Sequence, residues 1–224
     1  MSLSQISSIV EEQLVRWSYR SQKRSLNATK KYPTITISRQ YGTCGSQIAK
    51  KVAQQLGYDF WDQNLVHKVS ESSGLTKELT NSLDEKVKSF IEDAVSAMAL
   101  GSNASEKRYI SQVVKTIQVI SEHGKAVIVG RGSQFILKEN TVKIRLVAPL
   151  SYRIRAVAHN ESTSAKEAEL KIQMIDKERI DFHQKHFAKD IRQASYYDLC
   201  INVENFNQEA VVSFIVDTIP KYDF

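Results

Sequence analysis

Apolar residues recur along this chain with two different periods. Ile6, Ile9, Val10, Leu14 and Trp17 fall three to four residues apart, the stripe of an amphipathic helix. After Pro33 the pattern changes. Thr34–Ser38 is a short β-branched run, which predicts a strand. Ile48, Val52 and Leu56 then recur every four residues with Gly57 behind them, predicting a helix with a buried stripe and a glycine stop. Tyr58–Asp62 predicts a second short strand. Residues 63–123 predict mostly helix, broken at Ser72–Gly74 and at Gly101–Asn103. Ala126–Val129 and Val142–Val147 predict further strands, the second ended by Pro149. A long polar helix is predicted from Ser164, with Glu167 completing a capping box, to about Lys189. Leu199–Val203 predicts the last strand and residues 207–219 the closing helix.

Strands alternate with helices from Pro33 onward. That order predicts an α/β fold with a parallel sheet of about five strands, helices on both faces and right-handed crossovers. The strand from Thr34 is expected at the centre. Ligands of such sheets bind at the carboxyl ends of the strands. Residues 1–32 stand apart as an N-terminal helical extension, and residues 33–224 form the body. The extension carries Arg16, Arg20, Lys23, Arg24, Lys30 and Lys31 behind its apolar stripe. It is expected to pack on the body or on a second subunit as a homodimer contact; Glu11 and Glu12 count against a transit peptide.

Composition narrows the class. The 224 residues are 42% hydrophobic and 25% charged, as in an ordinary globule with a sizeable core. No stretch approaches the roughly 18 apolar residues of a membrane span, and no apolar signal region opens the chain. The two cysteines, Cys44 and Cys200, form no CxxC pair, which argues against a zinc site or a disulfide framework. A cytoplasmic location and no membrane partner are expected. The formal net charge of +6 suits an anionic ligand. The basic residues are dispersed, which argues against a nucleic-acid partner.

The chemistry concentrates in Ser38–Ala49, where Gly42 and Gly45 sit between a predicted strand and a predicted helix. Glycines let successive N–H groups turn inward, and the helix start adds partial positive charge, so the segment is built to hold phosphate. An ordinary strand–helix turn is the plainer alternative. Registered on the pattern GxxxxGK[ST] with Ser46 as the final residue, Arg39 stands for the first Gly, Cys44 for the second and Gly45 for the Lys. The phosphate-binding set is therefore Arg39, Gly42, Thr43, Cys44, Gly45 and Ser46. Arg39 is placed to supply charge from the far side of the loop. Cys44 is either a thiol activated at a helix start or a small residue tolerated in a turn.

Five segments in order resemble the cytidylate kinase-like family of P-loop nucleotide kinases: Ile35–Gly42, Phe60–Asp62, Ile128–Gly132, Asp176–Arg179 and Tyr197–Asn202. The likeness spans about residues 33–220. It implies a three-layer α/β/α P-loop fold with a helical lid over about 151–195. In that family the P-loop Lys is also commonly absent. The resemblance implies Asp62 and Arg131 at an acceptor site, and Arg131, Arg153 and Arg179 as the catalytic arginines around the phosphates. Arginine's fork suits phosphate oxygens and developing charge. Asp62 either serves there or caps the following helix. Asp176 and Arg179 either belong to the lid site or form a surface ion pair. His183 and His186 share a helix face but lack a third ligand, so a solvated pair is expected rather than a metal site. The lid sequence Phe182–Phe187 departs from the arginine-rich lid of the family.

The reading is an ATP-dependent nucleotide kinase-like enzyme acting on a nucleoside monophosphate, cytidylate by resemblance alone. Mg²⁺ would bridge the phosphates with Ser46 as a ligand. The alternative is a nucleotide- or phosphate-binding regulatory protein without phosphoryl transfer. The missing Lys favours the alternative, and the arginine set favours the enzyme.

Overall fold

The computed structural model describes residues 32–64, 66, 85–98 and 103–219. Five strands form one sheet: β1 (Thr34–Arg39), β2 (Asp59–Trp61), β3 (Ala126–Val129), β4 (Thr141–Val147) and β5 (Leu199–Asn202). Their order is β2-β3-β1-β4-β5, and every pairing is parallel. β1 lies at the centre, with Ile35 opposite Val127 on one side and Val142 on the other.

Alternation along the strands divides the core into layers. Ile35, Ile37, Val127, Val129, Ile144 and Leu146 face α1 (Gly45–Leu56) and the closing helix, Gln208–Thr218. Ala126 and Ile128 face the opposite way, into a second cluster with Trp61, Ile117 and Ile136. That layer is covered by α2 (Glu85–Met98), α3 (Ala104–His123) and the short α4 (Ser133–Ile136). Thr34 and Thr36 are buried as well, and their hydroxyls are satisfied by Ser121 Oγ and the Val142 carbonyl. The fold is a three-layer α/β/α arrangement.

Local signals account for the ends of the elements. α1 buries Ile48, Ala49, Val52 and Ala53, and stops at Gly57, whose φ of 65° is left-handed. β4 leads through Pro149 into α5 (Leu150–Glu161), which turns at Ser162 into α6 (Ala165–Phe187). Ser164 and Glu167 close the capping box at the start of α6. α5 and α6 form a hairpin with a small core of its own, made of Val157, Ala168 and Ile172. A 3-10 turn (Ala194–Tyr196) leads to β5, and α7 (Gln208–Thr218) closes the chain. The N-terminal extension and the breaks at Ser72–Gly74 and Gly101–Ser102 lie outside the described residues. Among the described residues no helix is long and apolar enough to cross a membrane.

Candidate phosphate-binding site

β1 delivers residues 40–44 at the carboxyl edge of the sheet, and α1 starts directly behind them. Gly42 and Cys44 take left-handed φ values of 86° and 55°, which turns the chain back toward the helix. Thr43 is buried and its hydroxyl donates to the Gln40 carbonyl (2.9 Å). The N–H groups of residues 42–46 meet no acceptor among the described residues. They are the donors an anion would find. Ser46 stands exposed in the first turn of α1.

The glycines answer to two arginines. A Cβ on Gly42 would lie 2.9 Å from Arg153 Cβ. A Cβ on Gly45 would lie 2.8 Å from Arg39 Cβ and 2.9 Å from its Cγ. Arg39 thus crosses the position where a P-loop lysine would start. Its guanidinium ends over Gly130, where an added Cβ would meet Nη1 at 2.5 Å. Burial first, then repulsion from Arg179 and Arg131 against the attraction of Asp62, brings the Arg39 guanidinium down to about 9.

Residues 130–132 are left-handed in succession, with φ of 79°, 55° and 70°. Arg131 therefore projects from a tight turn at the end of β3. Its Nε is buried without a hydrogen-bond partner, and its guanidinium carbon lies 6.0 Å from the Tyr109 ring centre. Gly132 sits against the Phe187 ring of α6, leaving no room for a Cβ. Ser133 Oγ and both amide atoms of Gln134, just beyond, are also buried without partners.

α6 brings two further groups. Arg179 donates to the Arg39 carbonyl (2.8 Å) and lies 3.8 Å from Asp176; burial lowers its pKa, with Asp176 opposing. His183 is buried among Phe135, Phe182 and Phe187. Its Nδ1 donates to the Arg179 carbonyl (2.6 Å) and its Nε2 has no partner. Burial, and to a lesser degree Arg145, Arg179 and Arg39, bring its pKa down to about 4 although the carbonyl bond opposes this. The ring is neutral at pH 7 and no solvated pair with His186 forms; no group of three candidate metal ligands occurs among the described residues.

Arg153 is 7% exposed. Its Nε donates to the Ala148 carbonyl and its Nη1 to the Tyr41 carbonyl and Asp176. It braces the loop from below. Asp62 accepts from the Asn64 N–H (2.9 Å) as a helix cap and also acts on Arg39, so capping and site proximity coexist. Cys44 is half-buried with Asn160 Nδ2 3.9 Å from its sulfur.

Sequence reading passed over Arg145. It is 4% exposed on β4, donates to Ser38 Oγ (2.9 Å), and faces Arg179, His183 and Asp190. A lone arginine inside the apolar run Val142–Val147 was the available signal. Four arginines thus share the carboxyl end of the sheet, with Asp62, Asp176, Glu178 and Asp190 among the carboxylates beside them.

Residues 34–205 match the family model described as the cytidylate kinase-like family. A cytidylate kinase from Pyrococcus horikoshii is 27% identical over 84% of this chain and 89% of its own. One from Thermococcus kodakarensis is 33% identical over 40% of this chain and 46% of its own. The crystal structure of an uncharacterized protein from Eubacterium ventriosum superposes with a TM-score of 0.69 at 19% identity, covering 86% of this chain and all of that one. This last likeness concerns the fold.

Proposed function

We propose that this chain, which belongs to the cytidylate kinase-like family, transfers the terminal phosphoryl group of ATP to a nucleoside monophosphate, with cytidylate as the first candidate acceptor. At the coarse level the family makes it a kinase-type phosphotransferase. The observation that carries the finer reading is the arginine cluster. Arg39, Arg131, Arg145 and Arg179 lie close enough to lower one another's or a neighbour's pKa. Cations held together in a half-buried place are stabilised by a polyanion, and phosphoryl transfer needs fixed positive charge more than covalent chemistry.

The roles follow from position. The N–H groups of residues 42–46 would hold donor phosphates. Arg39 would provide the charge that a P-loop lysine gives elsewhere, since its side chain fills that place. Arg131, on the turn after β3, would take the acceptor phosphate with Asp62 nearby. Arg179 would reach over both from the lid. Ser46, with an exposed hydroxyl on the first turn of α1, fits Mg²⁺ as a single protein ligand beside phosphate oxygens and water, the manner in which this ion is usually held. Bound there, Mg²⁺ would neutralise phosphate charge; the arginines do the rest through orientation.

The test is a panel of nucleoside monophosphates with ATP and Mg²⁺, read by product formation, with Arg179→Ala alongside. A contact made chiefly in the transition state predicts that Arg179→Ala lowers kcat by on the order of 10²-fold with a much smaller change in ATP affinity. ATP binding without transfer to any acceptor would instead establish a phosphate-binding regulatory protein, a reading favoured by the absence of a lysine at position 45.

A further inference from the structure

The lid hairpin grips the phosphate loop at Tyr41, using every kind of group that residue has. The Tyr41 N–H donates to Asp176 Oδ1 (2.9 Å). Its carbonyl accepts from Arg153 Nη1 (3.2 Å). Its phenol donates to Glu161 on α5. Its ring packs on the hairpin core of Val157, Ala168 and Ile172. Asp176 is where these connections meet: its second oxygen accepts from Arg153 Nη1. Arg179, 3.8 Å away, fixes the preceding part of the loop through the Arg39 carbonyl. Gly42 then rests against Arg153 with no room for a side chain. None of these bonds consumes an N–H of residues 42–46.

We infer that Asp176 is a positioning residue: from the lid helix, it sets the conformation of the phosphate loop through Tyr41 and Arg153 without touching phosphate. The inference rests on the proposed role of the loop. Arg153 is nearly buried, and Asp176 is the carboxylate with which it forms an ion pair. Removing the carboxylate leaves that cation uncompensated, a strongly unfavourable state that only movement of Arg153 relieves. Such movement releases both Gly42 and the Tyr41 carbonyl. Loop order and hairpin position are therefore coupled: the hairpin cannot rock away while the entry of the loop stays fixed.

The test compares hydrogen exchange of the full chain with its Asp176→Asn and Asp176→Ala variants, without ligand and with ATP and Mg²⁺. Asn keeps an acceptor for the Tyr41 N–H but not the charge, so the effects should rank Ala above Asn. Exchange at the Gln40 and Tyr41 amides, the loop N–H groups that are hydrogen-bonded, should rise by about tenfold or more in the ligand-free Ala variant, with β3 and β4 unchanged. ATP affinity should fall about tenfold while the affinity for a monophosphate alone stays within about twofold. Unchanged loop exchange overturns the inference, and so does a loss confined to the monophosphate, which would make Asp176 a direct acceptor contact. Should the variants not fold, the wild type decides: ATP must slow exchange in 40–46 and in 172–180 together, and protection limited to the loop overturns the coupling. If ATP does not bind the wild type, the phosphate-binding reading fails, while the ligand-free comparison still decides the role of Asp176.

Discussion

The Cα of Gly45 lies beneath the Arg39 side chain, which approaches to within 2.8 Å of any added Cβ. Glycine where the pattern has lysine invites a positive φ as its explanation. The backbone at 45 is ordinary helix; the left-handed residues are Gly42 and Cys44. Close approach, not conformation, holds position 45. The substitution Gly45→Lys is therefore expected to push Arg39 out of place instead of restoring a lysine. Overpacking of this kind costs roughly 1–3 kcal/mol, and the displaced guanidinium no longer reaches Gly130. Thermal unfolding should show the destabilisation, and titration with ATP should show weaker binding than wild type. Tighter binding in this variant would mean that Arg39 does not serve the site. Arg145 was missed for a related reason. A strand pattern reports which residues are buried, and it is silent on the polar partners, Ser38 and Tyr197, that make a buried arginine tolerable.

At the scale of elements, sequence periodicity carried far. Four residues of β3 alternate between two cores, and the matching strand was legible from Ala126–Val129 alone. The capping box of α6 was equally local. What the hairpin touches was not legible, because Tyr41 and Asp176 are 135 residues apart and periodicity carries no information across such distances. The aromatic end of α6 illustrates this. Phe182–Phe187 departs from an arginine-rich lid, yet the structure uses it to seal the turn at Gly132 and to bury His183. That burial has a pH signature. The folded pKa of His183 is about 4, below its ordinary value of 6.5, so the unfolded chain binds the extra proton. Stability is full above about pH 6.5 and declines as pH falls toward 4, by on the order of 3 kcal/mol at most. Glu167 and Asp190, both lowered to about 2, remain charged through that window. His183→Leu should flatten the melting temperature between pH 6.5 and 4.5. A slope as steep as that of the wild type would show that another group is responsible.

For the whole molecule, charge is arranged unevenly in a way the net value of +6 does not convey. Lys51–Glu209, Lys171–Glu161, Lys177–Asp181 and Lys185–Glu106 pair off on the surface. Such exposed pairs contribute little to stability. At the carboxyl end of the sheet, four arginines lie together with Asp62, Asp176, Glu178 and Asp190 among the carboxylates beside them, and Asp176 is already engaged by Arg153 and Asp190 by Arg192. That end is held together against its own repulsion, and the loop donors of residues 42–46 lie beside it. A polyphosphate binding there stabilises the folded state by mass action, about 2.7 kcal/mol at one hundred times the dissociation constant. For a chain of this size that corresponds to roughly 5–10 °C in melting temperature. The expected order is ATP or pyrophosphate well above inorganic phosphate, and phosphate above chloride at equal ionic strength, because screening alone does not supply oxygens for the loop donors. Scanning fluorimetry across these salts checks the order directly. Arg39→Gln should shrink the pyrophosphate shift and raise the melting temperature of the ligand-free protein or leave it unchanged, since it removes one repulsive partner. Equal shifts for pyrophosphate and chloride would mean that the cluster is a general basic surface, with no phosphate site built into it.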